Sequence, residues 1–470
     1  MSTAILDRHQ PLLVSLGVVL ASVAAGLVVA RSQSGVSLAL IAMLALAGLV
    51  VLLSLPPAGL FLGWLAVAPI FADSAQASAL GRAGILAIYT APAILLAVLA
   101  ATRARPGATL SYVEFMPAAF VAYVLASIFF TSDALQTNPA GTMRFFFVMV
   151  ALGPLLYYFL TIGPGSAVSR EKLLAVLMIG GVVQGCLALV EAATHWNPWG
   201  YTSWQSAVGG ARAVATMANP GILGMFLGVA IVIALAVLVW DGPRSLRRLS
   251  WLTLVFAVPG LLVTLTRGPI LATALAALVV LVLSRKRLAS IAAIASLAVA
   301  VALLWPSIRA TAVYQERATE STTVLVRSGL QAWSLQLAEQ KPLFGWGYGS
   351  FDRVKNTADL ASIEGIPVRF LLGYTSHNTY LTMLVEIGAI GLLLYALPFL
   401  WFTGRGIVRA RARPPDRWLV VAVVLSLLVI ALSASTLDFR FFSFAQVLPW
   451  LLLAILRDTA TAPIATVATR

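Results

Sequence analysis

"GYTSHNTYLTMLVEIGAIGLLLY", residues 373–395, opens polar, with His377 and Asn378 side by side, then turns apolar and, Glu386 apart, stays so to Phe402. A run of roughly 18 apolar residues can cross a bilayer as a helix, whereas a transmembrane β-strand alternates. The same texture covers most of the 470-residue chain, which is 60% hydrophobic and 10% charged, with a mean hydropathy of +0.96. Soluble domains carry about 25% charged residues. The sequence therefore describes an all-α polytopic integral membrane protein.

Apolar runs between polar breaks predict spans near residues 12–30, 36–54, 58–72, 84–101, 114–130, 144–163 and 173–192. More follow near 219–240, 250–266, 268–284, 288–305, 376–402, 418–434 and 443–456, which makes twelve to fourteen transmembrane helices, because 58–72 is short and the division near Ser250 is indistinct. Met1 to Ala30 resembles a signal peptide, with Arg8 ahead of an apolar stretch, but the many later spans favour a retained first helix. A net charge of +14 raises the question of nucleic acid. The arginines, however, sit in short clusters between apolar runs, where orientation in the membrane accounts for them, and no nucleic-acid partner is expected. Cys186, the single cysteine, lies inside an apolar run, so neither a disulfide framework nor a cysteine metal site is available.

With the amino terminus in the cytoplasm, eighteen of the 31 lysines and arginines fall in inner loops, six fall in short outer segments (Arg31, Arg82, Arg144, Arg212, Arg267 and Arg440), and seven lie in one long outer loop. Inner loops are normally the basic ones, so both termini are expected to be cytoplasmic. The outer loop, residues 306–374, is the only sizeable soluble segment, and connections of that length are usually functional. Within it Val326, Leu330, Trp333 and Leu337 recur at helical spacing, so "VLVRSGLQAWSLQLAEQ" reads as an amphipathic helix lying on the membrane or on the bundle, ended by Pro342. In "FGWGYGSF", Gly345, Gly347 and Gly349 alternate with aromatics and read as a tight turn, since no strand and helix flank them as in a nucleotide loop.

Unpaired polar groups at membrane depth are costly, so each is a functional candidate. Arg212 stands about two helical turns before Asn219 and Pro220, and Arg267 sits on an outer tip followed by Gly268 and Pro269. Arg317, Glu320 and Arg327 lie in the long loop, and His377 and Asn378 at the mouth of a span. All fall at the outer face, where arginine is disfavoured unless an anion holds it, and a guanidinium binds phosphate through a fixed fork of donors. Each has a plainer reading. Arginines at span ends snorkel to lipid phosphate, and Ser376 or Asn378 can be a helix cap, with the histidine a bystander. Glu386 falls half a turn round the helix from His377, which excludes a dyad and suggests an interhelical hydrogen bond; Gly388 and Gly391 are expected to admit a neighbouring helix.

In order along the chain, "RAVATMANP", "VTLTRGP", "ESTTVLVRSGLQAW", "KPLFGWGYGSF" and "SHNTYLTMLVEIGAIGLLLY" resemble the O-antigen ligase and polymerase superfamily, bacterial membrane glycosyltransferases that use undecaprenyl-diphosphate-linked glycans. The resemblance covers Arg212 to Leu394; a serine often precedes the arginine where this chain has "TRG". It divides the chain into amino-terminal helices (1–200), a catalytic region with the outer loop (201–402) and carboxy-terminal helices (403–470). What it implies is a GT-C-like helical fold in the bacterial cytoplasmic membrane, with its cavity on the outer face. Arg212, Arg267 and Arg327 would contact the donor diphosphate and His377 would be the essential residue near the acceptor, with Asn378, Glu320 and Arg317 in support. The implied partners are the lipid-linked glycan donor, a glycan or lipid-linked acceptor, and membrane lipids.

The chemistry that fits is inverting transfer. Neutral His377, with an ordinary pKa of about 6.5, takes the proton of an attacking hydroxyl while the arginines stabilise the departing diphosphate. The outer side has no compact acidic or histidine cluster, so no metal and no cofactor are expected. Polymerase, ligase and protein-glycosylating enzymes share these motifs. The reading from another class is a lipid-linked oligosaccharide flippase or transporter, for which paired broken helices and polar groups at mid-membrane depth are expected.

Overall fold

Apolar runs without outside partners for their backbone groups must satisfy those groups as helices. The computed structural model describes residues 56–71, 89, 91–102, 110–131, 139–199, 212–284, 322–357, 362–363, 365–372, 374–412 and 414–461. Its first helices are α1 (Pro57–Phe71), α2 (Ala91–Thr102), α3 (Tyr112–Thr131) and α4 (Pro139–Phe146), the last continuing through a π turn, Phe147–Ala151, into α5 (Leu152–Thr161). Then come α6 (Arg170–Thr194), α7 (Pro220–Val239), α8 (Arg244–Val263) and α9 (Arg267–Val282). The long connection that follows contributes α10 (Thr322–Gln340), α11 (Phe351–Thr357) and a small hairpin pairing Ser362 with Pro367 and Ile363 with Ile366. The chain closes with α12 (Thr379–Arg411), α13 (Arg417–Ala434) and α14 (Ser443–Thr461). Among the described residues, seven helices are long and apolar enough to cross a membrane. The expected spans 12–30, 36–54 and 288–305 lie outside the described residues; the described parts of the others fall on these helices.

α7 is apolar on all sides and is accordingly enclosed, packed by α6, α8, α9 and α13. By contrast α3 and α8 present Phe115, Phe129, Trp251 and Val255 outward, as helices facing lipid do. The bundle has two distinct ends. At one, Arg170 of α6 pairs with Asp458, and Arg457 with Glu114 of α3, tying two helix starts to the end of α14. At the other lie the starts of α7, α9 and α12 and the end of α13.

The long connection before α12 has its own core. Leu330, Trp333 and Leu337 of α10 are buried against Phe351, Ile363, Ile366, Val368, Leu371 and Val385. The amphipathic helix is thus present, and its apolar face is covered by its own loop and by α12.

α12 is not continuous. Gly388 has φ 64 and ψ −172, and the freed backbone groups are taken by the segment at 342–347. Trp346 N donates to Val385 O (2.8 Å) and Gly347 N to Glu386 O (2.7 Å), while Ala389 N and Ile390 N donate to Pro342 O and Leu343 O. The Ile387 carbonyl accepts from the Tyr123 hydroxyl (3.0 Å). Both sides of this crossing need glycine: a Cβ at Gly388 would strike the Leu343 carbonyl, and one at Gly345 (φ 71) the Glu386 carbonyl. The sequence reading of Gly388 and Gly391 as a seat for a neighbouring helix is corrected here. A loop passes at Gly388, and Gly391 packs on Ile387 of its own displaced turn.

Arg212 to Ala218, just before the expected span, is non-helical. Irregular backbone inside an apolar bundle needs partners. α6 supplies them: the Glu191 carboxylate accepts from Val214 N (3.0 Å) and Ala215 N (2.7 Å), and Gln184 bonds Thr216.

Candidate functional site

Four separate stretches of sequence meet at the second end of the bundle. Gly221, in the first turn of α7, lies against Leu437; Gly268, in the first turn of α9, lies against Thr436; and Thr379, first residue of α12, gives both its amide (3.0 Å) and its hydroxyl (2.7 Å) to Leu437 O. Asn219 and Asn378 cap amides of α7 and α12, and the aligned dipoles of three helix starts around one turn favour an anion.

The predicted residues arrive there in two groups. Arg212, half-buried, donates to Thr264 O (3.2 Å) and Thr266 Oγ1 (3.1 Å), which seats it on the turn that carries Arg267. Arg267 is exposed as the first residue of α9, where the helix charge disfavours a cation. Arg327, on α10, is half-buried and close enough to His377 for its charge to act on the ring. Arg317 and Glu320 lie outside the described residues.

His377 is not on the helix. It precedes the cap in a left-handed turn (φ 51), and Asn378 is the cap, its side-chain oxygen accepting from Tyr380 N (3.0 Å) and Leu381 N (3.2 Å). The supporting role expected of Asn378 is therefore structural. The imidazole pKa is pulled down to about 4, first by burial, then by Arg327 and more weakly by Lys355, against an upward pull from Asp438. At neutral pH the ring is uncharged. Lys355, on α11, is buried too, and bonds the carbonyl of Tyr374, three residues before the histidine. Burial lowers its pKa, with Asp352 opposing.

Sequence reasoning missed Arg440. It was counted as one more outer charge, yet it is buried at the centre of an ion-pair cluster: Nη1 meets Glu386 (2.8 Å), Nε and Nη2 meet Asp438 (3.0 and 2.9 Å), and Nη2 approaches Asp352 of α11 (3.7 Å). Burial acts against its charge, but Asp438 and Glu386 more than offset this and its pKa is raised. Removing it would strand buried carboxylates at a cost of about 3–5 kcal/mol. The available signal was "TLDFRFF", residues 436–442, an acid and an arginine two apart at the end of an apolar span in a chain with only 17 acidic residues. Glu386 is the hydrogen-bonding residue expected: besides Arg440 it accepts from Phe351 N (3.1 Å). It does not pair with His377, though the reason is this engagement and not an angle on a straight helix.

The fold is an all-α membrane bundle with arginines, helix starts and a neutral histidine gathered at one end. Residues 252–396 match the family model described as O-antigen ligase, which bears out the resemblance to the O-antigen ligase and polymerase superfamily. The matched stretch holds Arg267, Arg327 and His377, while Arg212 and Arg440 lie outside it. It supports a glycosyltransferase-like ligase or polymerase role with lipid-linked glycan and membrane lipid as partners. No curated protein matches the chain.

Proposed function

We propose that the protein transfers glycan from an undecaprenyl-diphosphate carrier to a hydroxyl acceptor, with inversion and without a metal, on the outer face of the bacterial cytoplasmic membrane. One observation carries this: the starts of α7, α9 and α12, bringing Arg267 and His377 with them, converge on the Thr436–Leu437 turn. The diphosphate sits against these helix starts with its lipid tail in the bilayer. Arg212, Arg267 and Arg327 bind it through paired donors and take up the charge that grows on it as the glycosidic bond breaks. His377, neutral in the free enzyme, accepts the hydroxyl proton. A pKa of about 4 makes it a weak base. The bound diphosphate, by countering Arg327, raises that basicity once the donor is in place. The outward orientation rests on the arginine distribution, eighteen inner against six in short outer segments.

The break in α12 is a feature of transporters, but the backbone groups it frees are bonded to the 342–347 segment and Tyr123. Such groups would otherwise be open to line a pathway. Deleting the gene and examining surface glycan discriminates the classes. A polymerase is marked by loss of the chain-length ladder, and a ligase by build-up of full-length lipid-linked polymer. Build-up of single repeat units facing the cytoplasm would contradict the proposal and indicate a flippase.

A further inference from the structure

We infer that Arg440 is a positioning residue for His377, joining the break in α12, the long connection before it and the histidine turn into one unit; this rests on the glycosyl-transfer reading above. The connection can be followed atom by atom. Glu386, two residues before the break, and Asp352 and Phe351, at the start of α11, meet at Arg440 directly or through Glu386. From Arg440 it passes to Asp438, whose Oδ2 takes both Arg440 Nε (3.0 Å) and the Thr382 hydroxyl (3.3 Å). With its own proton given to Asp438, Thr382 accepts from the Ser376 hydroxyl, which in turn accepts from Asn378 N (3.1 Å). His377 is therefore held between two residues bound to the end of this chain. Phe439 N also donates to Thr379 Oγ1 (3.0 Å), which clasps the Arg440 turn to the first residue of α12.

From Glu386 to the histidine turn the route is buried: Glu386, Arg440, Asp438, Thr382 and Ser376. What the cluster fixes is the height and turn of a left-handed backbone that its own sequence does not favour, and placement errors of about 1 Å at a reacting group cost about 100-fold in rate. The cluster also sets the charge seen by the ring. His377 is faced by Arg327 of α10, Lys355 of α11 and Asp438 of the 436–440 turn, and Arg440 neutralises the last.

The test uses the full-length protein, purified and reconstituted in vesicles with a lipid-diphosphate-linked glycan and an acceptor glycan. Arg440→Gln, Arg440→Lys and Thr382→Val are compared with wild type for kcat, donor KM and the pH profile. Arg440→Gln should lower kcat about 100-fold with donor KM within about twofold. It should also move the acid limb of the profile upward, because Asp438 then pulls on the imidazole unopposed. Arg440→Lys should restore part of kcat. Thr382→Val, nearly the same shape and away from the ion pairs, should lower kcat about tenfold and decides the matter where Arg440→Gln does not fold. Wild-type kcat in Thr382→Val, or a raised KM with unchanged kcat and acid limb in Arg440→Gln, overturns the inference while leaving the transfer reading intact. A wild-type protein that binds the donor and transfers nothing removes both.

Discussion

α7 and α12 begin on the same backbone. Ala218 (φ 57) and His377 (φ 51) are each left-handed, and each is followed by an extended asparagine, Asn219 and Asn378, whose carboxamide oxygen caps the next two free amides. A left-handed residue with a Cβ costs about 1–2 kcal/mol, so the chain bears this cost twice to turn a cap into place. Only the side chain differs. Ala218 is sealed in the bundle, whereas His377 is half-buried and stands among Arg327, Lys355 and Asp438. The unusual backbone at His377 is thus a way of starting a helix at this end of the molecule, and the chemistry is argued from what surrounds the ring.

The largest effect should come from His377→Gly, which suits the left-handed turn and removes the imidazole. Donor turnover should fall by about 10²–10⁴-fold with thermal stability unchanged or higher. Retained turnover would make His377 the counterpart of Ala218, a turn residue and no more. Next is Arg267→Lys, which keeps the charge and loses the fork; turnover should drop about 100-fold, and full activity would mark a residue snorkelling to lipid. The pH profile follows from the neutral ring. With a free-enzyme pKa of about 4, kcat/KM should hold as pH falls from 7 to 5 and be lost only as pH falls through about 4. Loss centred near the ordinary value of about 6.5 would mean that burial and Arg327 do not act on the ring. The smallest effect is Ala218→Gly, which should raise stability by about 1 kcal/mol in thermal unfolding by relieving the same turn without chemistry.

The helices were legible because a bilayer demands long apolar runs, and the runs from 58–72 to 443–456 that fall on described residues are helices. So was the amphipathic α10, whose stripe of Leu330, Trp333 and Leu337 is buried as spaced. The irregular backbone was not. The break at Gly388 interrupts a sequence with good helical texture, and the non-helical Arg212–Ala218 segment leads into another. Each is sustained by partners far away in the chain: Pro342–Gly347 for one, Glu191 and Gln184 for the other. Periodicity sees neighbours on one helix and not such crossings. Arg440 was missed for the same reason, since three carboxylates from three segments define it, and no local spacing joins Asp352, Glu386 and Asp438. Arg267 and His377 were singled out because an outer arginine and a lone histidine are odd wherever they fall.

The central claim is that this end of the bundle breaks the bond between glycan and lipid diphosphate. The most direct measurement follows the glycan of a radiolabelled undecaprenyl-diphosphate donor in vesicles holding the purified wild-type protein or His377→Gly, with an acceptor glycan present. The account predicts label moving to the acceptor with release of undecaprenyl diphosphate in wild type, and donor binding without transfer in His377→Gly. Label that stays on the lipid and crosses the bilayer in wild type, or that reaches the acceptor equally well without the imidazole, would contradict it.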